Sequence, residues 1–202
     1  MSKYQMNIEK QFDILYPILN DISPISKENW NMVKPFFNTK TLNKGEHLFS
    51  IDDKVEDFYF LISGLARYYY LTVEGKEFNK SFAEKQGHLL SSISSVSHGT
   101  PCPFSVEVLS DFTCLHISYK KLLELGSEHK QWNDLLLRVY ENLIIKKEKR
   151  EADFLLLNAR ERYEKFLDDY SMIEDAVTNY HIASYLGITD VALSRIRKEM
   201  KN

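Results

Sequence analysis

The chain changes its apolar period twice, and those two changes limit what it can fold into. Residues 8–37 place Phe12, Leu15, Ile18, Leu19 and Ile22 at spacings of three and four, the stripe of an amphipathic helix. Ser23-Pro24 breaks it, and Ser26 is a cap from which Trp30, Met32 and Val33 restart. From about Lys40 the spacing becomes that of strands, with short apolar or aromatic runs punctuated by Gly45, Asp52-Asp53, Gly64, Glu74-Gly75, Gly87 and Gly99. Helical spacing returns after Ser118 and is kept to the end. Strands gathered in one block with helices on either side call for an α+β architecture rather than alternating β and α units.

Within the strand block, residues 58–62 and 66–71 flank a turn at Ser63-Gly64, residues 73–76 give a second hairpin signal, and 104–108 pairs naturally with 113–117. Short strands at this spacing predict a closed or rolled antiparallel unit, an N-terminal β-roll of the double-stranded, jelly-roll-like kind. Aromatic residues cluster there, and alternation assigns half of the rings at 58–60 and 68–70 to the core. From Gln131 to Leu157 neither Gly nor Pro interrupts the helix, which at 1.5 Å per residue is about 40 Å long. Trp132, Leu136, Val139, Leu143, Arg150, Phe154 and Leu157 recur at roughly heptad intervals, so the helix is expected to pair with its twin, the alternative being a monomeric helix lying along the β domain. The basic run Lys146 to Arg150 reads as solvated surface, the alternative being closure over an acidic effector held in the roll. Asn158 with Glu161 three residues later is a capping box, marking a change of direction.

The last stretch carries the functional signal. Thr178 caps a short helix whose Ile182, Ala183, Tyr185 and Leu186 form an apolar face, and Gly187 ends it in a sharp reversal. Thr189 caps the next helix, in which Leu193 and Ile196 point inward while Asp190, Val191, Ser194, Arg195 and Lys198 share the outer face. This is a helix-turn-helix pattern. Its second helix suits the major groove, with Arg195 able to fork onto guanine O6 and N7, and Thr178 and Thr189 are placed for backbone phosphates. The whole chain of 202 residues carries a net charge of −3, so no global basic field announces nucleic acid. From residue 178 onward, however, Arg195, Arg197, Lys198 and Lys201 outweigh Asp190 and Glu199.

Composition narrows the remainder. Apolar residues make up 44%, enough for a core in each of two modest domains. Cys102 and Cys114 are too few for a disulfide framework or a four-thiolate metal site, and the six histidines form no close-spaced ligand pair. No metal is expected. Cys102, in its Pro-Cys-Pro turn, is read as buried and inert rather than as an oxidisable thiol. No leader pattern and no run of roughly 20 apolar residues is present, so the expectation is a cytoplasmic protein without a membrane partner. No nucleophile, base and orienting group can be assembled, which argues against an enzyme.

The order of parts, with Phe60 to Gly64, Glu74 to Glu77, Ile117 to Leu122 and Leu193 to Ile196, resembles the Crp/Fnr family of bacterial transcription regulators over nearly the whole chain. The resemblance implies an effector domain at residues 1–130, a central dimerisation helix and hinge at 131–158, and a helix-turn-helix DNA-binding domain at 159–202. It also implies a homodimer reading a palindromic operator on double-stranded DNA, with RNA polymerase and an unknown small-molecule effector as further candidate partners. Members that bind cyclic nucleotides use a Gly-Glu pair, an Arg-Ser pair and two central-helix hydroxyls. Those positions hold Ser91-Ser92, Cys102-Pro103 and Lys147-Glu148 here, so cyclic AMP is not expected as a cofactor. Of the family's three base-reading positions, Arg195 is kept, while an arginine and a glutamate give way to Asp190 and Val191. The chain stops at Asn202, soon after the recognition helix, without the strands that usually follow. The competing expectation is a ligand-binding or protein-interaction module with a vestigial helix-turn-helix. An effector is expected to act by shifting the long helix and resetting the spacing of the recognition helices.

Overall fold

The computed structural model describes residues 7–170, 173–174 and 176–201. Two N-terminal helices, α1 (Ile8–Ile22) and α2 (Lys27–Val33), start at Asn7 and Ser26, whose side chains accept from Glu9 and Asn29 N–H groups. A 3-10 turn at Lys34–Phe36, with Pro35 inside it, leads into the strands. These are β1 (Asn38–Leu42), β2 (His47–Phe49), β3 (Asp57–Ser63), β4 (Ala66–Leu71), β5 (Glu77–Ala83), β6 (Leu89–Leu90), β7 (Ser105–Val108) and β8 (Phe112–Ser118), with the short α3 (Ile93–His98) between β6 and β7. Then follow α4 (Tyr119–Glu128), α5 (Lys130–Leu156), α6 (Ala159–Asp169), α7 (Asn179–Leu186) and α8 (Asp190–Met200).

The strands form two antiparallel four-stranded sheets in the orders β1-β8-β3-β6 and β2-β7-β4-β5, folded face to face as a roll. The α+β expectation holds, and so do the long helix and the two terminal helices. The β3 to β4 turn is tight because Gly64, at φ +106°, lies against the opposite loop: a Cβ there would meet Asp111 O at 2.5 Å. Only glycine fits that approach without strain.

Alternation along β3 divides the core. Phe58, Phe60 and Ile62 face the helices, joining Phe12, Leu15, Trp30 and Trp132, while Leu61 faces the roll's interior with Tyr68, Val106, Phe112 and Cys114. The interior is therefore filled by side chains. Trp132, fully buried, stacks on Trp30 at 6.4 Å between ring centres, and Gln131 accepts from Ser26 and Asn29. The first turns of α5 are thus part of this chain's own core. Trp132, Leu136 and Val139, read from spacing as a seam for a twin, face inward. The apolar side chains that α5 leaves exposed are Leu137, Ile144, Ile145, Phe154, Leu155 and Leu156.

A third cluster joins the two ends of the molecule. Tyr163, Phe166, Tyr170, Ile182, Leu186, Leu193 and Ile196 pack with Leu65 and Phe82 of the roll. Phe82 on β5 is fully buried, its ring 5.6 Å from both Tyr170 and Tyr185 and 6.2 Å from Phe166. Completely burying a phenylalanine contributes about 1.5–3 kcal/mol. Among the described residues no helix is long and apolar enough to cross a membrane.

Candidate functional site

The helix-turn-helix is built as its caps and glycine require. Thr178 Oγ1 accepts from the His181 N–H at 3.3 Å and Thr189 Oγ1 from the Ala192 N–H at 3.2 Å. Gly187 takes the left-handed conformation at φ +69°, and the Ile188 N–H returns to Ala183 O at 3.0 Å. A second reason holds glycine there: a Cβ would meet the Phe154 ring at 2.8 Å. The far end of α5 therefore sits directly under the turn.

Leu193 and Ile196 bury the inner face of α8. Asp190, Val191, Ser194, Arg195 and Lys198 are all exposed, as are Thr178 and Thr189. One helix thus brings together five of the seven residues read as DNA-facing, and the two threonines sit at the N-termini of α7 and α8. Arg195 makes no hydrogen bond or ion pair among the described residues. Arg197 is different. It donates to the Tyr163 hydroxyl at 2.8 Å and to Glu174 at 3.0 Å, with a further bond to Asn179. Its charge is spent inside the domain, so the basic excess counted from the sequence reaches solvent only through Arg195, Lys198 and Lys201.

The effector positions present a different picture. Ser91 Oγ donates to Asp57 O at 2.9 Å, and Ser92 is fully buried with its hydroxyl 3.3 Å from that of Ser94. Cys102 is buried and its thiol donates to Phe104 O at 3.0 Å. Pro103, Lys147 and Glu148 are exposed. One further cation is a residue that spacing did not reveal. Lys80 on β5 lies 3.7 Å from the centre of the Phe104 ring, and burial, followed by the nearby charge of Lys147, holds its pKa down to about 8. Among the described residues no cluster of three or more His, Cys, Asp or Glu side chains could hold a metal ion.

Sequence reasoning also missed how the helix-turn-helix is attached. Ser184 on α7 accepts from the Asn79 N–H at 2.9 Å and donates to Glu77 O at 3.0 Å, and Asn79 Nδ2 donates to His181 O at 2.8 Å. Behind Asn79 the buried Arg67 donates to Asn79 at 3.0 Å and to Glu77 and Glu107 at 2.7 Å. Burial opposes the Arg67 charge, but the two carboxylates outweigh it and raise its pKa. The His181 imidazole is lowered, by burial first and then by Arg67. From the α5 side Arg150 donates to Tyr185 O at 2.6 Å and stacks 3.7 Å over the Tyr185 ring. An asparagine inside a strand was the available signal, and a weak one.

The description of the cyclic nucleotide-binding domain matches residues 39–129. No curated protein matches the sequence. Among solved structures, FixK2 from Bradyrhizobium japonicum is 19% identical, covering 82% of this chain and 84% of that one, with a TM-score of 0.68. A CooA double mutant from Carboxydothermus hydrogenoformans is 20% identical over 93% of this chain and 84% of its own, with a TM-score of 0.70. A protein from Eubacterium rectale described as a transcriptional regulator of the Crp/Fnr family reaches a TM-score of 0.69 at 15% identity, over 92% of this chain and 86% of that one. At these identities the likeness is one of fold. Residues 39–129 of this chain therefore match the cyclic nucleotide-binding domain family, and the chain as a whole shares its fold with these solved structures.

Proposed function

We propose that this chain is a DNA-binding transcription regulator of Crp/Fnr type, a cytoplasmic homodimer that reads a palindromic operator with one α8 per subunit. The observation that carries the reading is the outer face of α8. Arg195, Ser194, Val191, Asp190 and Lys198 stand exposed on a helix fixed from behind by Leu193 and Ile196 and capped by Thr189. Arg195 would read guanine, Val191 a thymine methyl and Asp190 a cytosine amine. Thr178 and Thr189 would meet phosphates. The work divides among an effector domain at 1–130, a dimer helix and hinge at 131–158, and a DNA-binding domain at 159–202. RNA polymerase and a small effector are further partners in this reading, and no catalytic role is proposed.

Cyclic AMP is not the effector in this reading. The hydroxyl of Ser91 is bonded within the chain, Ser92 and Cys102 are buried, and Lys147 and Glu148 offer no hydroxyl pair.

Selection of bound duplexes from a random pool by the purified chain tests this. The expected result is a palindromic consensus with a guanine in each half-site and half-site centres about 34 Å apart. Arg195→Ala should lower affinity for that consensus by about 1–3 kcal/mol, roughly 5- to 150-fold, and flatten the preference at the guanine. Enrichment that is absent, or unchanged by Arg195→Ala, would replace the regulator with an interaction module carrying a vestigial helix-turn-helix.

A further inference from the structure

A cavity of about 260 Å³ lies where the loop after β5, the far half of α5 and the C-terminal helices meet. None of Ser91, Ser92, Cys102, Pro103, Lys147 or Glu148, the positions at which a cyclic nucleotide would be read, lines it. Its walls come from the segment around the end of β5, from Lys146, Lys149, Arg150 and Asp153 of α5, and from the C-terminal helices through Asp169, Tyr170 and Tyr185.

The charges in the wall do not cancel. Asp169 is matched by Lys149 at 3.6 Å, and Asp153 by Lys165 at 3.2 Å. Lys85 and Lys146 have no ion-pair partner among the described residues. Arg150 uses one N–H on Tyr185 O and stacks over the Tyr185 ring, and the rest of its guanidinium fork has no hydrogen-bond or ion-pair partner among the described residues. Against these three cations stands only Glu84, whose Oε2 is buried without a hydrogen-bond partner and whose pKa burial raises. Charge compensation is therefore missing, and an orphaned carboxyl oxygen marks a polar contact not yet made. The hydroxyls of Ser81 and Tyr170 lie 3.4 Å apart at the same wall.

We propose that this junction cavity is a binding site for a compact phosphorylated small molecule, a phosphate monoester or diphosphate held by Lys85, Lys146 and Arg150. The Ser81 and Tyr170 hydroxyls hold the ligand's polar remainder. The volume falls just below the usual range for small-molecule pockets, about 300–1,000 Å³. It admits a short phosphorylated metabolite. Because the walls belong to the roll, the long helix and the C-terminal helices, the ligand is a fastener among the three. Binding itself does not depend on the regulator reading.

Inorganic pyrophosphate is the probe, titrated calorimetrically into the full chain and followed in parallel by thermal unfolding against sodium chloride at matched ionic strength. The expected result is saturable binding with a rise in unfolding temperature that chloride does not reproduce. Lys85→Gln and Lys146→Gln should each weaken it at least tenfold, with Lys146→Arg restoring most of it and Lys44→Gln leaving it unchanged. Circular dichroism confirms that the variants fold. Binding that does not saturate, or that survives both glutamine variants, overturns the proposal. A third arm measures a short duplex of unrelated sequence. If the two variants weaken duplex and pyrophosphate binding equally, the phosphate recognised is the DNA backbone and the small-molecule site is refuted, whatever the operator selection yields.

Discussion

His88 shows how burial turns an ordinary side chain into a pH-dependent liability. Burial, with Lys146 and Lys85 adding to it, holds its imidazole down to about 3. A histidine in the unfolded chain titrates near 6.5. Between about pH 6.5 and 3 the unfolded state therefore binds a proton that the folded state refuses, and stability falls as pH falls through that window. Above it the effect is absent. His88→Gln removes this dependence, so the wild type should lose up to about 1.4 kcal/mol per pH unit relative to the variant between pH 6 and 4. Urea unfolding at stepped pH measures it, and parallel stability curves would contradict it. None of this was legible in the sequence, because the burial of His88 comes from tertiary packing and Lys146, the stronger of the two cations that press on it, belongs to a distant helix. Arg195 is the opposite case. Its outward direction follows from the period of one helix, with Leu193 and Ile196 as the inner reference, and the structure places it as the spacing requires. Arg197, two residues on, was misjudged as free charge because its partners Tyr163 and Glu174 belong to the other side of a domain whose packing no local pattern encodes.

Between elements, the contact that matters most is α7 on β5. Ser184→Ala removes one acceptor and one donor from backbone groups of β5 and should cost about 1–3 kcal/mol. Asn79→Ala should cost at least as much, since it also strips a partner from the buried Arg67. The sharper readout is amide exchange: in Ser184→Ala the Asn79 N–H should exchange much faster while core amides of β3 and β8 keep their protection. Uniform loss of protection would show that Ser184 supports the whole fold rather than this junction. Element boundaries were the most legible part of the chain. The caps at Ser26, Asn158, Thr178 and Thr189 all bond as their sequence positions imply, and α5 runs from Lys130 to Leu156 against an expected 131 to 157. Which face of α5 is free could not be read. The strict heptad selected Trp132, Leu136 and Val139, which the N-terminal helices already cover. A helix packed on two sides has two apolar stripes, and periodicity does not say which one is spoken for.

At the scale of the whole molecule, the proposed homodimer would use the exposed Leu137, Ile144, Ile145, Leu155 and Leu156 of α5. Ile144→Asp combined with Leu155→Asp should convert a dimer into a monomer in sedimentation and abolish selective DNA binding, while the far-ultraviolet dichroism stays unchanged. A wild-type chain that already sediments as a monomer at operator-binding concentrations would remove the twofold reading. Domain arrangement was legible only as an order along the chain. The joint between roll and helix-turn-helix was not, because Phe82 and its box of Phe166, Tyr170 and Tyr185 come from segments some eighty to one hundred residues apart. That joint has one more effect. β5 ends its sheet, and a terminal strand offers its unpaired N–H and C=O groups to any other chain. Seated on β5, α7 acts as a shield against strand addition, so each excursion that releases α7 and α8 also exposes an adhesive edge. Intermolecular aggregation, rather than the reach of the connection at Asn158, then sets the limit on how far and how long the two ends of this protein can part.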